Sequence, residues 1–83
     1  MVNHVVPAGQ AREAALKIAA TVCANAPISV RESLGVARQA FDHDEATLFR
    51  VSREAQTRLY ATEDFKEGPR AFVEKRPPRW TGR

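Results

Sequence analysis

The sequence predicts an all-α chain: three principal helices plus a short C-terminal helix, in an open arrangement instead of a closed bundle. Three observations predict it. Apolar residues recur at helical spacing in three separate stretches. Clusters of Pro, Gly, Asn and Asp punctuate the chain between them. And 83 residues, about the size at which a chain buries only ~60% of its unfolded surface, cannot enclose much of a core.

Residues 2–6, Val-Asn-His-Val-Val, read as a strand remnant at an edge, and Pro7-Ala8-Gly9 breaks it. A first helix is expected over Gln10 to Ala24. Ala11, Ala14, Ala15, Ile18, Ala19 and Val22 repeat at its spacing, with Leu16, Ala20 and Cys23 as a second apolar flank. A helix apolar around so much of its girth expects contact on more than one side. Asn25 can close this helix or cap the next, and Pro27 suits a first turn. The second helix is expected over Pro27 to Ala40, with Val30, Leu34, Ala37 and Phe41 on one stripe. A close helix crossing would explain Gly35, which costs a helix about 1 kcal/mol relative to alanine.

Asp42-His43-Asp44 is a turn with an N-cap candidate. The third helix is expected over Glu45 to Ala61, striped by Leu48, Val51, Ala55 and Leu59, with Glu54 and Arg58 as an i,i+4 pair. Thr62 caps the final segment, and Glu63 and Asp64 suit the positive end of a helix dipole. Proline inside a helix costs about 3 kcal/mol. The spacing therefore predicts a break at Gly68-Pro69, with a last helix over Pro69 to Arg76. Pro77-Pro78 stops it, and Arg79 to Arg83 is an extended tail.

Composition narrows the function. No apolar run approaches the roughly 20 residues of a membrane span, so no membrane partner is expected. The N-terminus, Met1-Val2-Asn3-His4, has no basic region leading into a long apolar one, so no signal peptide is read. A single cysteine, Cys23, forms no internal disulfide, and a cytoplasmic location follows as an expectation. Among alanines it reads as a small core hydrophobe before a nucleophile. Residues 1–69 carry eight Lys/Arg against nine Asp/Glu, whereas Arg70, Lys75, Arg76, Arg79 and Arg83 stand against Glu74 alone. A basic end on a neutral body suits an anionic partner or a solvated tail.

No catalytic or metal site is expected. His4 and His43 lie far apart, and neither zinc spacing nor a Ser/His/Asp set is present. Glu63, Asp64 and Glu67 form a carboxylate cluster, read as solvated charges at a helix start, because no apolar wall surrounds them. Phe72 and Lys75 are the candidate binding residues. Three apart, they would share one helix face, and an aromatic ring beside a cation suits a nucleotide: the ring packs on a base and the cation meets phosphate. The plainer reading makes Phe72 and Val73 core residues and Lys75 a solvated cation. Trp80 is an anchor for the tail or an interface residue.

Three blocks carry a family resemblance. Val2-Asn3-His4-Val5-Val6-Pro7 resembles a "GLVNxVVP" strand exit. Ala24-Asn25-Ala26-Pro27-Ile28-Ser29-Val30-Arg31 resembles an "A-N-A-P-L-A-V-R" helix start. Thr62 to Arg83 resembles "S/T-E-D-x-x-E-G-x-x-A-F-x-E-K-R-x-P-x-[FW]-x-G-R". In register, they resemble the C-terminal part of the enoyl-CoA hydratase/isomerase (crotonase) family. Two positions depart from its pattern: Leu34 stands where many members have lysine, and Pro69 replaces an apolar residue.

The resemblance implies the following. The family's core is a repeated ββα spiral supplying two backbone N–H groups for the thioester oxyanion and acidic residues for acid/base work. Its C-terminal helices build the trimer and lend contacts to the CoA nucleotide, often at a neighbouring active site. Phe72 then matches the aromatic near the adenine and Lys75 the lysine near the CoA phosphates. The chain is expected to form a single helical domain over 1–83 without the catalytic core. It would be inactive alone and would partner itself or a crotonase core, with acyl-CoA bound in the complete assembly. No cofactor is expected beyond that CoA moiety, and no nucleic acid. A second reading, a free-standing helical interaction module, would put nucleic acid on the basic tail.

Overall fold

A computed structural model describes residues 2–83; Met1, part of the stretch read for a leader, lies outside them. Four helices follow one another: α1 (Ala11–Cys23), α2 (Pro27–Ala37), α3 (Glu45–Tyr60) and α4 (Glu63–Val73). The described residues contain no strand, so the reading of residues 2–6 as a strand remnant fails. An isolated five-residue segment has no neighbour to take its backbone bonds.

Local chemistry sets most of the boundaries. Asp44 caps α3 by accepting the Thr47 N–H at 2.8 Å, and Thr62 caps α4 by accepting that of Phe65 at 3.1 Å. Asn25 closes α1, its Nδ2 donating to the Thr21 carbonyl at 2.8 Å. α2 stops at Ala37, short of the expected Ala40, and Gln39 Nε2 donates back to the Gly35 carbonyl at 2.9 Å. Nothing crosses close to Gly35: a Cβ there would meet open space.

α2 packs on α3, and this is the main helix–helix contact. Ala55 is buried at its centre, with Leu48, Val51 and Leu59 half-buried along the expected stripe. On α2 the stripe fails, since Leu34 is half exposed and Phe41 fully so. Arg58 does not pair with Glu54. Its guanidinium donates across to Glu32 of α2, at 2.6 Å from Nη2, while Glu54 accepts from Arg50 at 2.8 Å. The contact of α2 with α3 brings Glu32 to Arg58, and two nitrogens of the guanidinium then reach one carboxylate.

Pro69 does not end the last helix. α4 runs unbroken from Glu63 to Val73 with Pro69 inside it. The donor it cannot supply is the one the Phe65 carbonyl would take. That local cost is offset around it by the Thr62 cap, by burial of Ala71, and by the tail bound along the helix.

Candidate functional site

The C-terminal end of α4 is built as a Schellman turn. The Lys75 N–H donates to the Phe72 carbonyl at 3.2 Å, and the Arg76 N–H reaches back to the Ala71 carbonyl at 3.1 Å. Lys75 takes the left-handed position that glycine usually fills, with φ of 51°, alone in this among the described non-glycine residues. The helix has ended at Val73, so Phe72 and Lys75 do not share a helix face as expected. The link between them is a backbone one, the Lys75 N–H on the Phe72 carbonyl. Phe72 and Val73 are 84% and 79% exposed, which removes the reading that they form a core within this chain.

Arg76 pins the turn. Its Nη1 and Nη2 donate to the two carboxylate oxygens of Glu67 at 2.6 and 3.0 Å, and its Nε donates to Glu74. Arg70 also donates to Glu74, at 2.9 Å. The Arg76–Glu67 pair is largely shielded, with side chains 28% and 16% exposed. The Arg76 guanidinium, then the Arg79 N–H at 2.7 Å, hold the Glu67 carboxyl down at about 2.

One turn earlier, Asp64 is buried and accepts three bonds from the tail: from Thr81 N at 2.7 Å, Thr81 Oγ1 at 3.1 Å and Gly82 N at 2.9 Å. The Thr81 backbone N–H is the main cause that keeps its carboxyl below the ordinary range. The Asp64 N–H, free at a helix start, donates in return to the Arg83 carbonyl at 3.0 Å. Gly82, at φ of 72°, supplies the left-handed residue this reversal uses. Trp80 then reaches the far side, its Nε1 donating to the Ala24 carbonyl at the end of α1 at 2.8 Å, with its ring against Gly68. Of the two roles read for Trp80, it takes that of tail anchor.

Sequence reasoning missed this carboxylate row. Asp64 and Glu67 are not solvated helix-start charges but the clamp for residues 76–83. A signal was available: spaced three apart, they line one face of a helix that a basic tail follows. Cys23 also departs from expectation, since it is exposed and lines an open groove of about 640 Å³ with Val22, Val30, Arg31 and Trp80. Phe72 and Lys75 lie outside that groove.

A family model described as enoyl-CoA hydratase/isomerase matches residues 1–83. The chain belongs to the enoyl-CoA hydratase/isomerase family. It is 37% identical to an enoyl-CoA hydratase of Mycobacterium tuberculosis, covering all of this chain and 31% of that protein. It is 40% identical to a putative enoyl-CoA hydratase of Thermus thermophilus, covering 96% of this chain and 32% of the other. In three dimensions it superposes on an enoyl-CoA hydratase of Mycobacterium marinum with a TM-score of 0.90 at 35% identity, over 100% of this chain and 34% of that one. The chain thus spans about a third of the length of the curated relatives it matches. Its helices are those of a segment of this family, and no helix among the described residues is long and apolar enough to cross a membrane.

Proposed function

We propose that this chain serves as the C-terminal segment of an enoyl-CoA hydratase/isomerase, working in oligomerisation and at the nucleotide end of an acyl-CoA. One observation carries the reading. Phe72 stands almost fully exposed at the end of α4, and three residues on Lys75 takes a conformation that costs a non-glycine residue energy. An exposed ring and an ammonium, on a turn tied down by Arg76, suit an adenine and a phosphate. Of the basic residues at this end, Arg70 and Arg76 are engaged by Glu74 and Glu67, which weakens a nucleic-acid reading. The thioester chemistry is assigned to a crotonase core outside these 83 residues, because oxyanion stabilisation needs preorganised donors aimed at the developing charge.

The test is Lys75→Ala in a complete hydratase/isomerase assembly containing this chain. An exposed lysine–phosphate contact contributes little in water, and more once enclosed between subunits. The nucleotide end binds ground state and transition state alike. The Michaelis constant for acyl-CoA should therefore rise about threefold or more with kcat nearly intact. An unchanged Michaelis constant at low salt returns Lys75 to a solvated cation.

A further inference from the structure

We infer that Glu67 and Arg76 are positioning residues for Lys75: their bidentate pair holds the left-handed turn that sets the direction of the Lys75 side chain. This inference rests on the CoA reading above and deepens it. A left-handed residue redirects the Cα–Cβ bond relative to the helix it follows, so the φ of 51° at Lys75 decides where its ammonium can reach. Lysine does not favour that φ by itself. Something outside the residue must hold it.

The holding group is its neighbour. Arg76 cannot move without dragging Lys75, and Arg76 is fixed to three residues by four bonds: two to Glu67, one to Glu74, and its own N–H on the Ala71 carbonyl. Glu67 lies two turns back, on the body of α4 and on the face that also binds the Arg79 N–H. The anchor is therefore the helix, not the flexible tail. A planar guanidinium forked onto a carboxylate fixes direction as well as distance, which a lysine at 76 would not. Glu74 and Arg70 complete the charged groups around the turn and bridge it to the last turn of α4.

The experiment is a double-mutant cycle in the complete assembly, joined to a readout on the turn itself. Glu67→Gln keeps the size of the side chain and removes its charge; Arg76→Lys keeps the charge and removes the fork. Each should raise the Michaelis constant for acyl-CoA about as much as Lys75→Ala does, roughly threefold, with kcat unchanged. Combined with Lys75→Ala, neither should add a further increase, because the residue they position is already gone. In the 83-residue chain, hydrogen exchange at the Arg76 amide should accelerate in both variants while the helix signal in circular dichroism persists. If Lys75→Ala raises the Michaelis constant and Glu67→Gln and Arg76→Lys do not, the positioning role is overturned and the CoA reading stands. An additive effect in the cycle overturns it too, since Glu67 would then act on its own. If Lys75→Ala is itself silent, the CoA reading falls and this role falls with it, even where the Arg76 amide is exposed.

Discussion

Lys75 sits where helices ordinarily place glycine, and the Schellman bonds around it are complete. Glycine pays no Cβ penalty at φ of 51°. Lys75→Gly is therefore expected to stabilise the chain by about 1 kcal/mol while removing the ammonium, and Lys75→Ala, which keeps the Cβ, to leave stability nearly unchanged. Urea unfolding at fixed protein concentration separates the two. Equal stability of all three proteins would mean that no strain is stored at this residue. The carboxylates of α4 make a second prediction at this scale. Folding holds Glu67 at about 2, against an ordinary 4.5, and Asp64 is lowered as well. A depressed carboxyl contributes stability above its unfolded pKa and loses it as pH falls through the folded one. The clamp should thus be at full strength above about 4.5 and weaken progressively towards about 2. In Glu67→Gln the fall in stability across that window should be shallower; an identical acid titration would show that Glu67 is not its source.

At the scale of elements, the parts legible in the sequence are those whose cause is local. Asp44 and Thr62 cap the helices they were expected to cap, and the α3 stripe of Leu48, Val51, Ala55 and Leu59 faces inward as its spacing required. What misled was decided at a distance. Pro69 is a helix breaker by its own chemistry, but α4 is held from outside by bonds to residues 79–83, which no window around Gly68-Pro69 contains. Arg58 prefers Glu32 over its helical neighbour Glu54 because two guanidinium nitrogens reach that carboxylate. Phe72 and Lys75 do not share the helix face that their spacing suggests, since the helix ends between them. The tail is extended, as expected, but not free in solvent: it is strapped to α4 and hooked by Trp80 to the end of α1. Trp80 is the only tryptophan, so its fluorescence reports the strap directly. Asp64→Ala removes three acceptor contacts from the tail and should shift Trp80 emission to the red and open it to iodide quenching. Unchanged emission would show that Trp80 holds the tail without Asp64.

The whole molecule is too open to be its own core. Its radius of gyration is 16.1 Å, against about 12 Å for a compact chain of this length, and it measures 44 × 39 × 18 Å. Among the described residues only Ala55 and Ala71 form a buried apolar interior, while Leu16, Ile18 and Val22 of α1 are 57%, 48% and 44% exposed. No residue of α1 is buried, although that helix is apolar around most of its girth. Salt bridges do not substitute for that missing interior: most are exposed, and exposed pairs contribute about 0–1 kcal/mol each. Burial of apolar side chains contributes more per residue, about 1.5–3 kcal/mol for a Leu or Ile moved from water to full contact. The surface with most to gain from association is therefore the α1 face carrying Ile18 and Val22, one helical turn apart. The isolated chain is expected to associate at tens of micromolar, and its unfolding midpoint should rise with concentration because association stabilises only the folded form. Sedimentation equilibrium measures the first and thermal unfolding over a dilution series the second. Ile18→Glu should shift both towards the monomer, since a carboxylate on that face has to be dehydrated to close the contact. A monomer with a concentration-independent midpoint, unaffected by Ile18→Glu, would show that the open shape is stable alone and that α1 needs no partner of its own kind.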